Sequence, residues 1–171
     1  MVFGLFRRKD KGRGGQESLK PGPAKGKFVL QYAYNVMSPI SRSASAPSAI
    51  TLMGIVVEGD ISEGDLLALP DGRLLSVIAL ETSRGRTSRA LMGESVGVVV
   101  RGVGWKPRTS DLGKYAVAGL IKRLKAEAEA EYKGVPEDAR RELVSKRVAE
   151  RLRNEAPQGK ILTIHYPSGT S

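Results

Sequence analysis

Three glycines spaced five residues apart limit what this chain can fold into more than any other feature. Gly54, Gly59 and Gly64 stand in the stretch Gly54 to Asp65, GIVVEGDISEGD, with Ile55, Val56, Val57 and Ile61 between them and an acidic residue after two of the three. Glycine lets a strand kink, bulge or turn where a Cβ would clash, so the spacing predicts short, sharply curved strands. A small closed β-barrel needs such curvature.

The flanking sequence supplies further strands. Phe28 to Val36 is rich in aromatic and branched residues and reads as a strand, and the serine- and proline-rich stretch Met37 to Ser48 reads as a loop. Leu66 to Leu69 and Arg73 to Ile78 flank Pro70-Asp71-Gly72, where proline fixes φ and glycine accepts φ > 0, which predicts a hairpin. Ser95 to Val103 is a nearly continuous β run leading to Trp105. Asp111 to Ala118 fits either a last barrel strand or the start of a helix. Beyond it Val117, Leu120, Ile121, Leu124 and Ala128 recur at helical spacing, Gly134 ends that helix, and Pro136 opens a second with the apolar row Val144, Val148 and Leu152. Gly159 to Tyr166 reads as a final strand open to pairing with an exposed edge. The expected architecture is mainly β with appended α: a small closed barrel over 28–118, then a helical hairpin and short terminal strand over 119–171, all preceded by a basic tail over 1–27.

Charge narrows the function classes. In 171 residues, 28 Lys and Arg stand against 18 Asp and Glu, a net charge of +10, which favours an anionic partner such as RNA or DNA. Three groups of cations are candidate nucleic-acid contacts. Arg7, Arg8 and Lys9 lie in the tail, Arg84, Arg86 and Arg89 surround Gly85 in the turn from Thr82 to Arg89, and Arg140, Arg147 and Arg151 share one side of the second helix. Each has a plainer reading: a solubilising leader, a hairpin tip, and the solvated rim of an amphipathic helix. The tail also admits a weak peripheral membrane contact, with Phe3, Leu5 and Phe6 beside the basic run. The chain has no cysteine, which excludes disulfides and thiol chemistry, and no Walker loop or HExxH spacing. His165, the single histidine, stands in a terminal strand without a nucleophile elbow, and Asp60, Asp65 and Asp71 read as turn residues. No catalytic residue, cofactor or metal is expected. No apolar run approaches the roughly 20 residues that span a bilayer, so the expected setting is cytoplasmic.

Taken together, several ordered blocks resemble the domain II β-barrel of translational GTPases, the elongation factor Tu-like and related initiation factors. They are Phe28-Val29-Leu30, the GxVxxGxIxxGD pattern from Gly54 to Asp65, Leu69-Pro70-Asp71-Gly72-Arg73, and Ala90 through Val103. The chain departs from the family pattern in having a basic tail in place of a GTP-binding domain, an insertion from Pro39 to Ala49, and a helical hairpin where a third domain stands. The resemblance implies a non-catalytic, RNA- or ribosome-binding accessory factor of translation, with ribosomal RNA or tRNA as ligand and a translation factor or ribosomal protein as a further partner. Two other readings stay open: a protein-binding adaptor, and a partner subunit of a separate GTPase.

Overall fold

The computed structural model describes residues 20–35 and 49–167. Its strands are β1 (Ala24–Tyr34), β2 (Ile50–Glu58), β3 (Asp60–Ser62), β4 (Leu66–Ala68), β5 (Leu74–Thr82), β6 (Gly85–Thr87), β7 (Arg89–Leu91), β8 (Ser95–Gly102) and β9 (Ile161–His165). Between β8 and β9 come helices α1 (Thr109–Gly113), α2 (Ala118–Glu131) and α3 (Glu137–Glu155). The sheet runs β4-β9-β1-β2-β8-β5, and β5 pairs again with β4, so six antiparallel strands close into a barrel. Strand β6 extends from β5, and β3 with β7 forms a separate ribbon.

The terminal strand is a stave of this barrel. It lies between β1 and β4, with Phe28 opposite Leu162 on one side and Leu67 opposite Ile164 on the other. Leu162 and Ile164 point inward and are fully buried with Phe28, Leu30, Leu52 and Val98. The adjacent residues point outward: Val29, Ile55, Val57 and Ile161 lie under Ile121 and Leu124 of α2 and Val148 and Leu152 of α3. Strands buried on both faces need unbroken apolar runs, which is why β1 and β2 do not alternate in polarity. The helical hairpin is thus a cover over one flank of the barrel, inserted between its fifth and sixth staves.

Strand directions give the barrel two ends. At one, β1 begins and β9 finishes; at the other, β1 finishes and the β4–β5 turn, the segment after β8 and α1 converge. Leu112 of α1 and Tyr115 join the interior cluster and cap that second end, and the Val117 amide donates to the Leu30 carbonyl at 2.9 Å. The ambiguous 111–118 stretch therefore resolves as the end of α1, a turn, and Val117 leading into α2.

Strand β1 begins at Ala24, inside what the sequence assigns to the basic tail, because β9 offers it a partner: Ala24 faces His165 and Gly26 faces Ile164. Lys25 is then carried inward. Its ammonium lies 2.7 Å from Asp65 and 3.2 Å from Asp60 with only 6% of the side chain exposed, and 4.8 Å from the Tyr166 ring centroid. Asp65 also accepts from the Ser62 amide at 2.7 Å, so it closes its own turn while holding the lysine. Burial disfavours the Lys25 charge, but Asp65 and Asp60 outweigh it and hold the ammonium above its ordinary value. Burial likewise pushes the Asp60 carboxyl up, and Lys25 and Arg89 more than offset that, leaving it below the usual carboxylate range.

The glycines divide by what surrounds them. At Gly54 an added Cβ would overlap the Val29 carbonyl oxygen and the Phe28 ring, because β1 crosses against β2 there. Gly64 has φ +91 but open space around it. Gly54→Ala is therefore expected to cost about 3 kcal/mol or more, since backbone and a core ring must both shift, and Gly64→Ala about 1–2 kcal/mol from backbone strain alone. Urea denaturation of the two variants checks the order.

Lys25→Met leaves Asp65 buried beside no cation and is expected to cost about 3–5 kcal/mol at neutral pH. Asp60 has a lowered folded value, so its contribution is complete above about pH 4 and fades as the pH falls. Lys25 has a raised one, so its contribution is complete below about pH 10 and fades above that. Urea midpoints across about pH 2.5 to 7, which brackets the ordinary Asp value of ~3.9, should accordingly show parent and Lys25→Met converging at the acid end.

Candidate nucleic-acid interface

The two ends of the barrel carry different balances of charge. The end where β1 begins gathers Lys20, Lys25, Lys27, Arg84, Arg86 and Arg89, but the turns there also bring Glu58, Asp60, Glu63, Asp65, Glu81 and Glu94. Arg86 meets Glu63 at 3.2 Å and Arg89 meets Asp60 at 3.0 Å, while Lys27 meets Glu58 at 3.3 Å. Of the arginine turn singled out in the sequence, only Arg84 has no carboxylate within ion-pair distance among the described residues. Exposed pairs of this kind add little stability, but each neutralises a charge that would otherwise face a phosphate.

The second helix behaves similarly. Arg147 pairs with Glu131 at 3.3 Å and with Glu150 at 3.5 Å, and Arg151 pairs with Glu127 and with Glu155. The pairs with Glu131 and Glu127 clamp α3 to α2, and those with Glu150 and Glu155 lie within α3. Arg140 stands apart from them, at the edge of a cleft between the helices and the barrel. Arg7, Arg8 and Lys9 lie outside the described residues.

The capped end is different. Arg73, Arg101, Lys106, Arg108, Lys114 and Lys160 converge there, opposed by Asp71 and Asp111. Their convergence follows from topology. Arg73 leaves the β4–β5 turn, Arg101 is the penultimate residue of β8, Lys106 and Arg108 lead into α1, Lys114 follows it, and Lys160 precedes β9 and donates to the Lys114 carbonyl. The Arg73 amide and guanidinium and the Tyr115 hydroxyl all reach Asp71, at 3.0, 2.8 and 3.2 Å, and hold its carboxyl below the usual range, the amide most strongly. Asp111 is held low as well, first by the Arg108 amide at 2.9 Å. Arg101, Lys106, Lys114 and Lys160 have no ion-pair partner among the described residues.

Aromatic rings stand among these cations. The Arg73 guanidinium lies 4.1 Å from the Trp105 ring centroid, and the Trp105 indole N–H donates to the Leu74 carbonyl at 2.8 Å, fixing the ring over the start of β5. Lys114 sits 5.2 Å from the Tyr115 ring. Interleaved cations and aromatic rings can hold phosphates and stack on bases. Reading the sequence for clustered arginines misses this site, because its members are scattered from residue 73 to residue 160. Trp105 was the available signal: a lone tryptophan followed within three residues by Lys106 and Arg108.

No protein-family model matches the chain, and no curated protein matches it. Among solved structures, apo elongation factor SelB of Methanococcus maripaludis is 20% identical over 49% of this chain and 17% of its own, with a TM-score of 0.38. GDP-bound aIF5B of Aeropyrum pernix is 16% identical over 91% of this chain and 25% of its own, with a TM-score of 0.38. The GTP-bound Ski7 GTPase-like domain of S. cerevisiae is 11% identical over 44% of this chain and 18% of its own, with a TM-score of 0.34. The chain thus spans a quarter or less of the length of these structures, and the activities named for them belong to the longer proteins.

Trp105 is the chain's single tryptophan, so its emission reports the capped end directly. Arg73→Ala removes a cation–π contact worth about 0.5–1 kcal/mol and exposes the indole. Its emission is expected to move to longer wavelength, whereas Arg84→Ala, at the opposite end, leaves it unchanged; steady-state fluorescence distinguishes them.

Proposed function

We propose that this protein is a non-catalytic RNA-binding accessory factor of translation, acting on ribosomal RNA or tRNA through the capped end of a barrel of the domain II type. The reading is carried by one observation: Arg101, Lys106, Arg108, Lys114 and Lys160 lie at the same end of the barrel as the Arg73–Trp105 stack, where among the described residues only Asp71 and Asp111 oppose them. The resemblance of Gly54 to Asp65 and of Ala90 to Val103 to translational GTPases supplies the link to translation, and the net charge of +10 the preference for an anion.

In this reading the flexible lysine and arginine side chains neutralise phosphates and set the register of the RNA, which gives affinity without sequence preference. The Trp105 ring, held by Arg73 and by its bond to β5, offers a face on which an unpaired base stacks. The fold holds these groups on three separate chain segments at fixed spacing, so little ordering remains to be done on binding.

Contact with five phosphates gives a log–log salt slope of about −3.5 on single-stranded RNA, and about −4.5 on a duplex. Combining Lys106→Glu, Arg108→Glu and Lys114→Glu is expected to flatten the single-strand slope by about 2 and to remove the fluorescence response of Trp105 to an added oligoribonucleotide. Combining Arg84→Glu, Arg86→Glu and Arg89→Glu leaves both nearly as they are. Ribosome co-sedimentation at rising salt tests the biological ligand: absence from both subunits, together with no tRNA retention at low salt, overturns the proposal.

A further inference from the structure

The helical hairpin does not lie flush against the barrel along its whole length. Toward the α2–α3 turn it opens into a cleft of about 780 Å³ walled by α2, α3 and the barrel at Gly93 and Ser95. Ile55, Val144 and Val148 form an apolar floor, and Ala126 and Ala130 keep the α2 wall low. Leu91 and Met92, just before Gly93, are large apolar side chains left 51% and 41% exposed.

The rim is basic. Lys125, Lys133 and Arg140 line it without an ion-pair partner among the described residues, whereas Arg123, Arg141, Lys146, Arg147 and Arg151 on the same two helices are all paired. Glu129 is the one lining carboxylate outside such a pair, since Glu137 is held by Arg141 at 2.7 Å. Lys122 and Arg153 are also without an ion-pair partner among the described residues but lie away from the cleft, so three of the hairpin's five unpaired cations stand at its rim.

We infer that this cleft docks an acidic, leucine-bearing peptide segment of a protein partner. Its size is that of clefts that enclose a small ligand, which suits a few side chains and not a whole domain. An apolar floor under a cationic rim is complementary to an aliphatic side chain flanked by carboxylates. A nucleic acid fits less well. No aromatic ring lines the cleft to stack on a base, a phosphate backbone would leave the half-buried Val144 uncovered, and it would face Glu129. Rings and cations coincide instead at the capped end of the barrel. The two surfaces are separate, so a protein partner and RNA can be held together.

Fluorescence anisotropy of the full chain with a labelled octapeptide of alternating aspartate and leucine tests the inference. Saturable binding at low salt is expected, weakened by about tenfold when Lys125→Glu, Lys133→Glu and Arg140→Glu are combined. Ala126→Trp, which fills the cleft without changing its charge, should abolish binding, and the Lys106→Glu, Arg108→Glu, Lys114→Glu chain should bind the peptide as the parent does. No binding at low salt, or binding that survives both the charge reversal and Ala126→Trp, overturns the inference. It is equally overturned if the cleft reversal weakens binding of a labelled oligoribonucleotide while peptide binding persists. Failure of the capped-end variants to lose RNA affinity would count against the RNA reading alone.

Discussion

Everything in this molecule depends on the pairing of β9 with both β1 and β4. Without that strand the sheet has two open edges, and the unpaired backbone groups of Ala24 to Val29 and of Leu66 to Ala68 face nothing. With it, the barrel closes and Leu162 and Ile164 complete the interior. Closure also recruits the polypeptide before β1. Once β9 is in place, Ala24 to Lys27 have a partner, Lys25 is drawn between Asp60 and Asp65, and Tyr166 lies beside it. The two described chain ends are tied there by paired bonds: the Gly22 amide donates to Tyr166 and the Tyr166 amide donates to Pro23. His165 belongs to the same seam, its Nδ1 lying 2.9 Å from the Gly22 carbonyl oxygen.

Because the last strand returns to the barrel, the segment between β8 and β9 must leave and come back. That excursion does two things with different chemistry. Its first part, α1 with Tyr115, plugs the barrel with Leu112 and brings Lys106, Arg108 and Lys114 beside Arg73 and Trp105. Its second part, α2 and α3, covers Val29, Ile55, Val57 and Ile161 and leaves the cleft beyond them. Both of the surfaces proposed for partners are consequences of how one connection is routed. Nothing among the described residues suggests a span across a bilayer by a helix: none is long and apolar enough.

Charge distribution shows where linear reading succeeds and fails. Arg84, Arg86 and Arg89 form the densest arginine turn in the sequence, yet Arg86 and Arg89 face Glu63 and Asp60, residues more than twenty positions away. An ion pair lowers the charge that a cation offers to a phosphate, and which cations are paired is long-range information. The same holds for Arg147 and Arg151, whose partners Glu131 and Glu127 sit on the neighbouring helix. Lys25 is the extreme case: read with the tail, it is among the most buried cations of the structure because two turn aspartates need it.

Periodicity and turn chemistry were legible from the residues alone. The glycine spacing from Gly54 to Gly64, the Pro70-Asp71-Gly72 turn and the Val96 to Val103 run specify curved strands, and Ile121, Leu124, Val148 and Leu152 specify amphipathic helices. These are local preferences, set by backbone sterics and by the alternation of apolar residues within a few positions. Only the tertiary structure decided that β9 is the sixth stave, that β1 starts at Ala24, and which cations stay unopposed. Those outcomes depend on hydrogen bonds and ion pairs between residues tens to more than a hundred positions apart, such as Ala24 with His165 and Lys25 with Asp65. Such pairs form once closure brings the segments together, and no local pattern records them.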